Sequence, residues 1–248
     1  MSLDQQRHDW EELAEYDALW AVLTQPEKRG GGWQADEFLA TGEAEIAEVL
    51  KTARVLGLPQ RRRRALDFGC GAGRLTRALA RRFETAVGVD ISEEMVATAR
   101  RLNRDMPGCR FRVEDSTELR GQEDSSFDLV YTTLVLQHLP RKLVEVYVME
   151  LLRVTAPGGL LVFALPDRIA WPYRLGLTRR LYRLLRLLRV PDGTILRRTP
   201  LTPMRMSALS GRRVRRVVEV CGGRLVRAEP SEGGGVHTLR YFVTPARG

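Results

Sequence analysis

No run in this sequence approaches the roughly 20 uninterrupted apolar residues that a membrane-spanning helix requires. The first 30 residues are acidic and polar, unlike a secretory leader, and the expected location is cytoplasmic. Cysteine is scarce: Cys70, Cys109 and Cys221 stand far apart, with no C-x-x-C pair and no cysteine–histidine cluster. That spacing argues against a disulfide framework and a structural zinc site, so free thiols and no metal are expected. Acidic residues become rare toward the C-terminus. Residues 1–60 hold 5 basic and 12 acidic side chains, residues 61–165 hold 17 and 14, and residues 166–248 hold 18 and 5. The net charge of +9 therefore resides in the last third, as it would on a nucleic-acid or anionic-membrane surface. Nearly all the basic residues are arginine, which also fits a genome-wide arginine bias, and that plainer reading is preferred.

What is present is ordinary globular usage: 248 residues, 44% hydrophobic and 29% charged, enough for one large domain. Trp10, Leu13, Tyr16, Trp20 and Leu23 recur at three- and four-residue spacing and predict a helix over 9–24. A second helix is expected over 36–55, ending at Gly57 and Pro59. From Arg64 short apolar runs alternate with helical stretches, the pattern of βαβ units on a parallel sheet. Strands are expected over 65–68, 86–90, 109–113, 127–132 and 159–165, with helices over 75–82, 93–103 and 141–154, the second capped by Ser92. A helix over 212–221 and strands over 224–229 and 238–244 close the chain. One α/β domain is expected, made of a helical cap (1–60), a cofactor-binding core (61–165), a basic helical insertion (166–210) and a C-terminal helix with two strands (211–248).

The most informative stretch runs from Ala65 to Arg74, a strand entering a turn with Gly69, Gly71 and Gly73 and then a helix. Such glycines let the backbone approach a ligand at the carboxyl end of the first strand. A dinucleotide fingerprint would want its third glycine where Arg74 stands, and Asp67, just before the loop, would repel a pyrophosphate. The same carboxylate suits a ligand bearing an ammonium and a sulfonium, as S-adenosylmethionine does. Asp90, ending the second strand, stands where a carboxylate accepts both ribose hydroxyls.

The run Leu66 to Arg74 resembles the first motif of class I S-adenosylmethionine-dependent methyltransferases of the small-molecule type. Gly88 to Ser92, with Met95, is similar to the second motif, and Val113-Glu114-Asp115 to the third, whose acidic residue sits by the adenine. Phe127 to Thr132, followed by Leu136-Gln137-His138-Leu139, resembles the fourth motif and the active-site wall after it, and Ala156 to Phe163 the fifth strand and its entry. Trp33, Phe38 and Gly42 resemble a cap present in some members. The resemblance covers about residues 60–165 well. It implies a doubly wound, seven-stranded Rossmann-like sheet with the last strand antiparallel, an N-terminal helical cap and a helical insertion before the last two strands. It also implies S-adenosyl-L-methionine as cofactor and S-adenosyl-L-homocysteine as product. The cofactor-binding residues it carries over are Asp67, Gly69, Cys70, Gly71, Gly73, Asp90, Ile91, Met95, Asp115, Ser116, Thr133, Trp33 and Phe38.

Methyl transfer asks the protein to hold an acceptor atom at attack distance and exclude water. For a hydroxyl acceptor His138 is the best-placed base, and the alternative is that it lines the pocket or bonds a backbone group. His8 and His237 are weaker candidates. Trp10, Tyr16, Trp20, Trp33 and Phe38 are expected either as an aromatic lid or as the buried face of the cap helices. A small-molecule, sugar, natural-product or lipid-like acceptor, methylated on oxygen, is favoured. Against an RNA or protein substrate stand the missing RNA-binding module and the run Thr133-Leu134-Val135-Leu136 where an Asn-Pro-Pro-like tetrapeptide would be needed. A cyclase or binding protein on the same fold stays open. Trp171–Val190 reads as a basic amphipathic helix: a lid or docked element by preference, a peripheral membrane contact otherwise. Oligomeric state is left open.

Overall fold

The structure is a computed structural model and describes residues 3–168, 176–199, 201, 203–204, 206–231 and 237–246. Seven strands form one sheet: β1 (Arg64–Phe68), β2 (Thr85–Asp90), β3 (Cys109–Val113), β4 (Phe127–Thr132), β5 (Thr155–Pro166), β6 (Gly223–Ser231) and β7 (Thr238–Pro245). Their order is β3-β2-β1-β4-β5-β7-β6. The first five are parallel, and β7 pairs antiparallel with both β5 and β6. The seven-stranded, doubly wound α/β fold with an antiparallel last strand is the one expected. Because chain order reverses between β1 and β4, a crevice opens at their carboxyl ends, where open α/β sheets bind ligands.

The central strands are apolar almost throughout because helices cover both faces. On one face Leu66, Val130 and Leu161 pack with Val148 and Leu151 of α5 (Arg141–Val154) and with Val214 and Val218 of the helix Gly211–Val220. On the other, Ala65, Leu129 and Val162 pack with Ile46 and Val49 of α2 (Ala35–Val55) and Leu75 and Leu79 of α3 (Arg74–Ala80). Gly42 lets α2 lie against α3, since a Cβ there would stand 2.3 Å from the Arg74 carbonyl oxygen. α4 (Glu93–Leu102) follows β2, and Ser92 caps it as expected, accepting the Met95 N–H at 3.1 Å.

A third cluster joins α1 (Leu3–Val22) to two helices of the basic insertion, α6 (Leu177–Leu187) and α7 (Asp192–Arg198), through Leu13, Trp20, Tyr182, Ile195 and Leu196. The helix Gly211–Val220 is then α8. α1 begins earlier than its apolar stripe suggested and is broken at Asp17, where the backbone is extended. The Asp17 carboxylate accepts the Trp20 N–H at 3.1 Å and the Gly31 N–H at 2.8 Å, restarting the helix after the break. α7 was not foreseen. Of the expected helix Trp171–Val190 the structure describes α6, and Trp171–Leu175 lie outside the described residues. No described helix is long and apolar enough to cross a membrane, and all three cysteines are free thiols.

Candidate functional site

The turn after β1 is held from beneath. Gly69 and Gly71 take positive φ of 74° and 50°, conformations that glycine adopts without steric cost. The Gly69 and Cys70 N–H groups both donate to the Val89 carbonyl, at 2.8 and 3.0 Å. Asp90, at the end of β2, accepts the Gly71 N–H on Oδ2 at 2.8 Å and the Ser92 N–H on Oδ1 at 3.0 Å. Two strand ends and one glycine turn are thereby fixed around a single carboxylate, with one backbone donor on each oxygen and lone pairs left over. Burial pushes the Asp90 carboxyl up from its ordinary value, and the backbone N–H bonds pull against it.

Above this turn lies a cavity of about 890 Å3. Gly69, Cys70, Gly71, Asp90, Ile91, Met95, Thr133 and His138 all line it, so eight of the residues expected at the site share one space. The helix α1 supplies Gln6, Trp10, Trp20 and Val22, and the stretch after β4 supplies Leu134 and Val135. Leu134 holds a positive φ of 60°, a costly conformation for a branched side chain. His138 is buried, with its ring edge-on to Trp10 at a centroid distance of 5.4 Å. Its Nε2 lies 3.2 Å from the Gln137 Nε2, and its carbonyl accepts the Gln6 side-chain N–H at 3.2 Å.

The other expected residues stand elsewhere. Asp67 is buried beneath the turn, off the cavity wall; Thr76 Oγ1 donates to its Oδ2 at 2.6 Å, and its Oδ1 has no partner among the described residues. Burial pushes this carboxyl up to about 7. Gly73 packs against Asn103 and Phe111 at the start of α3, where a Cβ would stand 2.7 Å from the Asn103 amide. Trp33 and Phe38 form an edge-to-face pair at 5.8 Å inside the cap core, which matches the plainer of the two readings of those aromatics. Asp115, expected on the adenine side, is exposed and 3.7 Å from Arg7 Nη1, while its neighbour Glu114 is on the wall. One residue's difference in register at the end of a strand sends the side chain to the opposite face. Ser116 is off the wall too and donates to Glu114 Oε1 at 2.8 Å. His8 and His237 are exposed and do not line the cavity.

Sequence reasoning missed Glu11. Its carboxylate, on α1, accepts from Ser92 Oγ at 2.8 Å and from the Glu93 and Glu94 N–H groups at 2.7 and 3.2 Å. It thus caps α4 from another helix and pins α1 over the turn. Also unforeseen is the buried chain in which Arg74 Nη1 donates to Glu45 Oε2 at 2.7 Å and Tyr131 Oη to Glu45 Oε1 at 2.6 Å. Arg74 and Glu45 both border the cavity, and Arg74 Nε is buried without a partner among the described residues. Neither feature has a sequence signal, because both join positions far apart in the chain.

Residues 66–163 match the family described as a methyltransferase domain. A trans-aconitate 2-methyltransferase of Variovorax paradoxus is 39% identical over 122 residues, 48% of this chain and 43% of that protein. A ubiquinone biosynthesis O-methyltransferase of Methylococcus capsulatus is 33% identical over 133 residues, 53% of this chain and 54% of that protein. The chain spans about half the length of these curated relatives. Among solved structures, magnesium protoporphyrin IX methyltransferase of Synechocystis with bound S-adenosylhomocysteine shares the fold at a TM-score of 0.66 and 18% identity, over 99% of this chain and 100% of that one. The glycine turn and the Asp90 carboxylate both lie within residues 66–163, the stretch that matches the methyltransferase domain family.

Proposed function

We propose that this protein transfers a methyl group from S-adenosylmethionine to an oxygen of a small, largely apolar acceptor. The observation that carries the reading is the convergence of the Gly69–Gly71 turn, the Asp90 carboxylate and His138 on one cavity. The residues fit the cofactor. The free lone pairs of Asp90 suit the two hydroxyls of a ribose, and the glycines leave room for a ligand's backbone-close approach. The unpartnered Arg74 Nε on the wall suits a carboxylate such as that of the methionyl end. Asp67 beneath the turn, its carboxyl pushed up to about 7 by burial, would be drawn toward its charged form by a nearby cation.

When bound, the cofactor supplies an electrophilic methyl group on a sulfonium. The chain's own contribution is to orient the acceptor and keep water out. Trp10, Leu134, Val135, Leu139, Met204 and Met206 give the cavity an apolar wall, which favours a phenolic or otherwise lipophilic hydroxyl over a sugar. His138 takes the acceptor's proton, and Trp10 and Gln6 hold it in place from α1. The relatives named for quinone biosynthesis and for trans-aconitate support an oxygen acceptor of either a phenolic or a carboxylate kind.

The test is formation of S-adenosylhomocysteine with a panel of quinols, phenols, sugars and tricarboxylates. Turnover with quinols or phenols is expected. Turnover with sugars or tricarboxylates alone would overturn the acceptor assignment, and no turnover with any acceptor would favour a binding protein or cyclase.

A further inference from the structure

α6 has a buried face and an exposed one; Leu185 packs toward the buried one, and the other leucines are on the exposed one. Tyr182 is buried toward α1 and α7, and Arg186 beside it pairs with Asp9 at 3.8 Å and Asp192 at 3.1 Å. Leu177, Leu181, Leu184 and Leu188 recur at four-, three- and four-residue spacing, which stacks them on one stripe. They are 53%, 47%, 49% and 66% exposed, and Leu187 beside them is 79% exposed. Together they make up more than half of the exposed large hydrophobics among the described residues. The docked reading of this segment therefore holds for the tyrosine face and fails for the leucine stripe.

The charges around the stripe say what would cover it. α6 contains no acidic residue, and Arg180, Arg183 and Arg189 are exposed at its border. The chain from residue 166 onward carries 18 basic and 5 acidic side chains. Leucines in a row beside arginines, with no acid among them, complement a surface that is apolar within and anionic at its edge. Thr178, exposed in the first turn of α6, also lines the cavity with Met204 and Met206, so the cavity reaches the protein surface beside this stripe.

We infer that the outer face of α6 lies on an anionic lipid bilayer, leucines in the acyl boundary and arginines among the headgroups. A lipophilic acceptor would then enter the cavity directly from the bilayer; that consequence rests on the methyl-transfer reading, whereas the docking does not.

Co-sedimentation of the full chain with vesicles tests it. Binding is expected to equal parts phosphatidylcholine and phosphatidylglycerol at low salt, to weaken at high salt, and to be absent with phosphatidylcholine alone. Leu181→Glu with Leu184→Glu is expected to lower vesicle binding by about tenfold or more, with S-adenosylhomocysteine affinity unchanged as the measure of an intact fold. Failure of the unaltered chain to bind anionic vesicles at low salt overturns the inference, as does equal binding to both vesicle types. Light scattering that shows a dimer broken by the double substitution would assign the stripe to a second copy instead. The S-adenosylhomocysteine titration is read separately, so loss of the cofactor reading and loss of membrane docking are distinguishable.

Discussion

Asp67, next to last in β1, and Asp90, last in β2, stand on neighbouring parallel strands, yet they meet opposite surroundings. Asp90 has a backbone donor on each oxygen and faces the cavity, whereas Asp67 has one hydroxyl partner and does not line the cavity. Replacing Asp90 with alanine removes both the turn's anchor and the acceptor for a diol. It is expected to weaken S-adenosylhomocysteine binding about 100-fold or more, measured by calorimetry. The folded chain holds the Asp67 proton up to about pH 7, against an ordinary value of 3.8 when unfolded. The folded state thus binds the extra proton in that window, and the stability the group contributes is full below 3.8 and lost as pH rises through 7. Asp67→Asn cannot ionise, so its stability is expected to fall less than the parent's between about pH 5 and about pH 8, by on the order of 3 kcal/mol, read from urea melts. His138→Gln is expected to lower kcat for a hydroxyl acceptor by about 100-fold or more, with cofactor affinity unchanged.

Among the elements, α1 and α2 matter most to the site although neither belongs to the sheet. Glu11 ties α1 to the start of α4 with three hydrogen bonds. Glu11→Ala is expected to cost about 1 kcal/mol of stability in thermal melts and to weaken cofactor binding, because α1 carries Trp10 and Val22 to the cavity; Glu11→Gln, which keeps an acceptor, is expected to lose less. Gly42→Ala would force α2 off the Arg74 carbonyl and is expected to cost about 1–3 kcal/mol. These two elements also show where the sequence was legible. The strands and α2 to α5 have apolar runs that are local, and α4 has a local cap in Ser92, so their positions could be read directly. The break at Asp17 could not, since nothing in LAEYDALW distinguishes a capping aspartate from one on a helix face. The glycines and Asp90 were legible because strand, turn and helix follow one another in sequence. Glu11, Glu45 and Val135 were not, because their contacts are with residues brought near only by the fold. Which of Glu114 and Asp115 turns toward the cavity was not legible either, since family spacing at the end of β3 does not say it; Glu114 is on the wall.

For the whole molecule, charge and topology divide the work. The parallel sheet places the turn and Asp90 at the reversal of strand order, and the acidic cap closes over them through α1. The basic last third lends α6 to the same enclosure and packs α7 against α1: Arg179 and Arg186 of α6 lie 4.0 and 3.8 Å from Asp9 of α1. The excess of arginine toward the end of the chain is thus partly spent on joining cap to insertion, and partly exposed beside the leucine stripe. Both roles were invisible in composition, which gives the sign of the charge and not its direction.

The central claim is that the cavity over the Gly69–Gly71 turn is built for S-adenosylmethionine. Calorimetric titration with S-adenosylhomocysteine and with NADH in parallel, on the parent chain and on Asp90→Ala, tests it most directly. The account predicts micromolar binding of S-adenosylhomocysteine alone, lost in the variant. Binding of NADH alone, or S-adenosylhomocysteine affinity that survives Asp90→Ala unchanged, would contradict it.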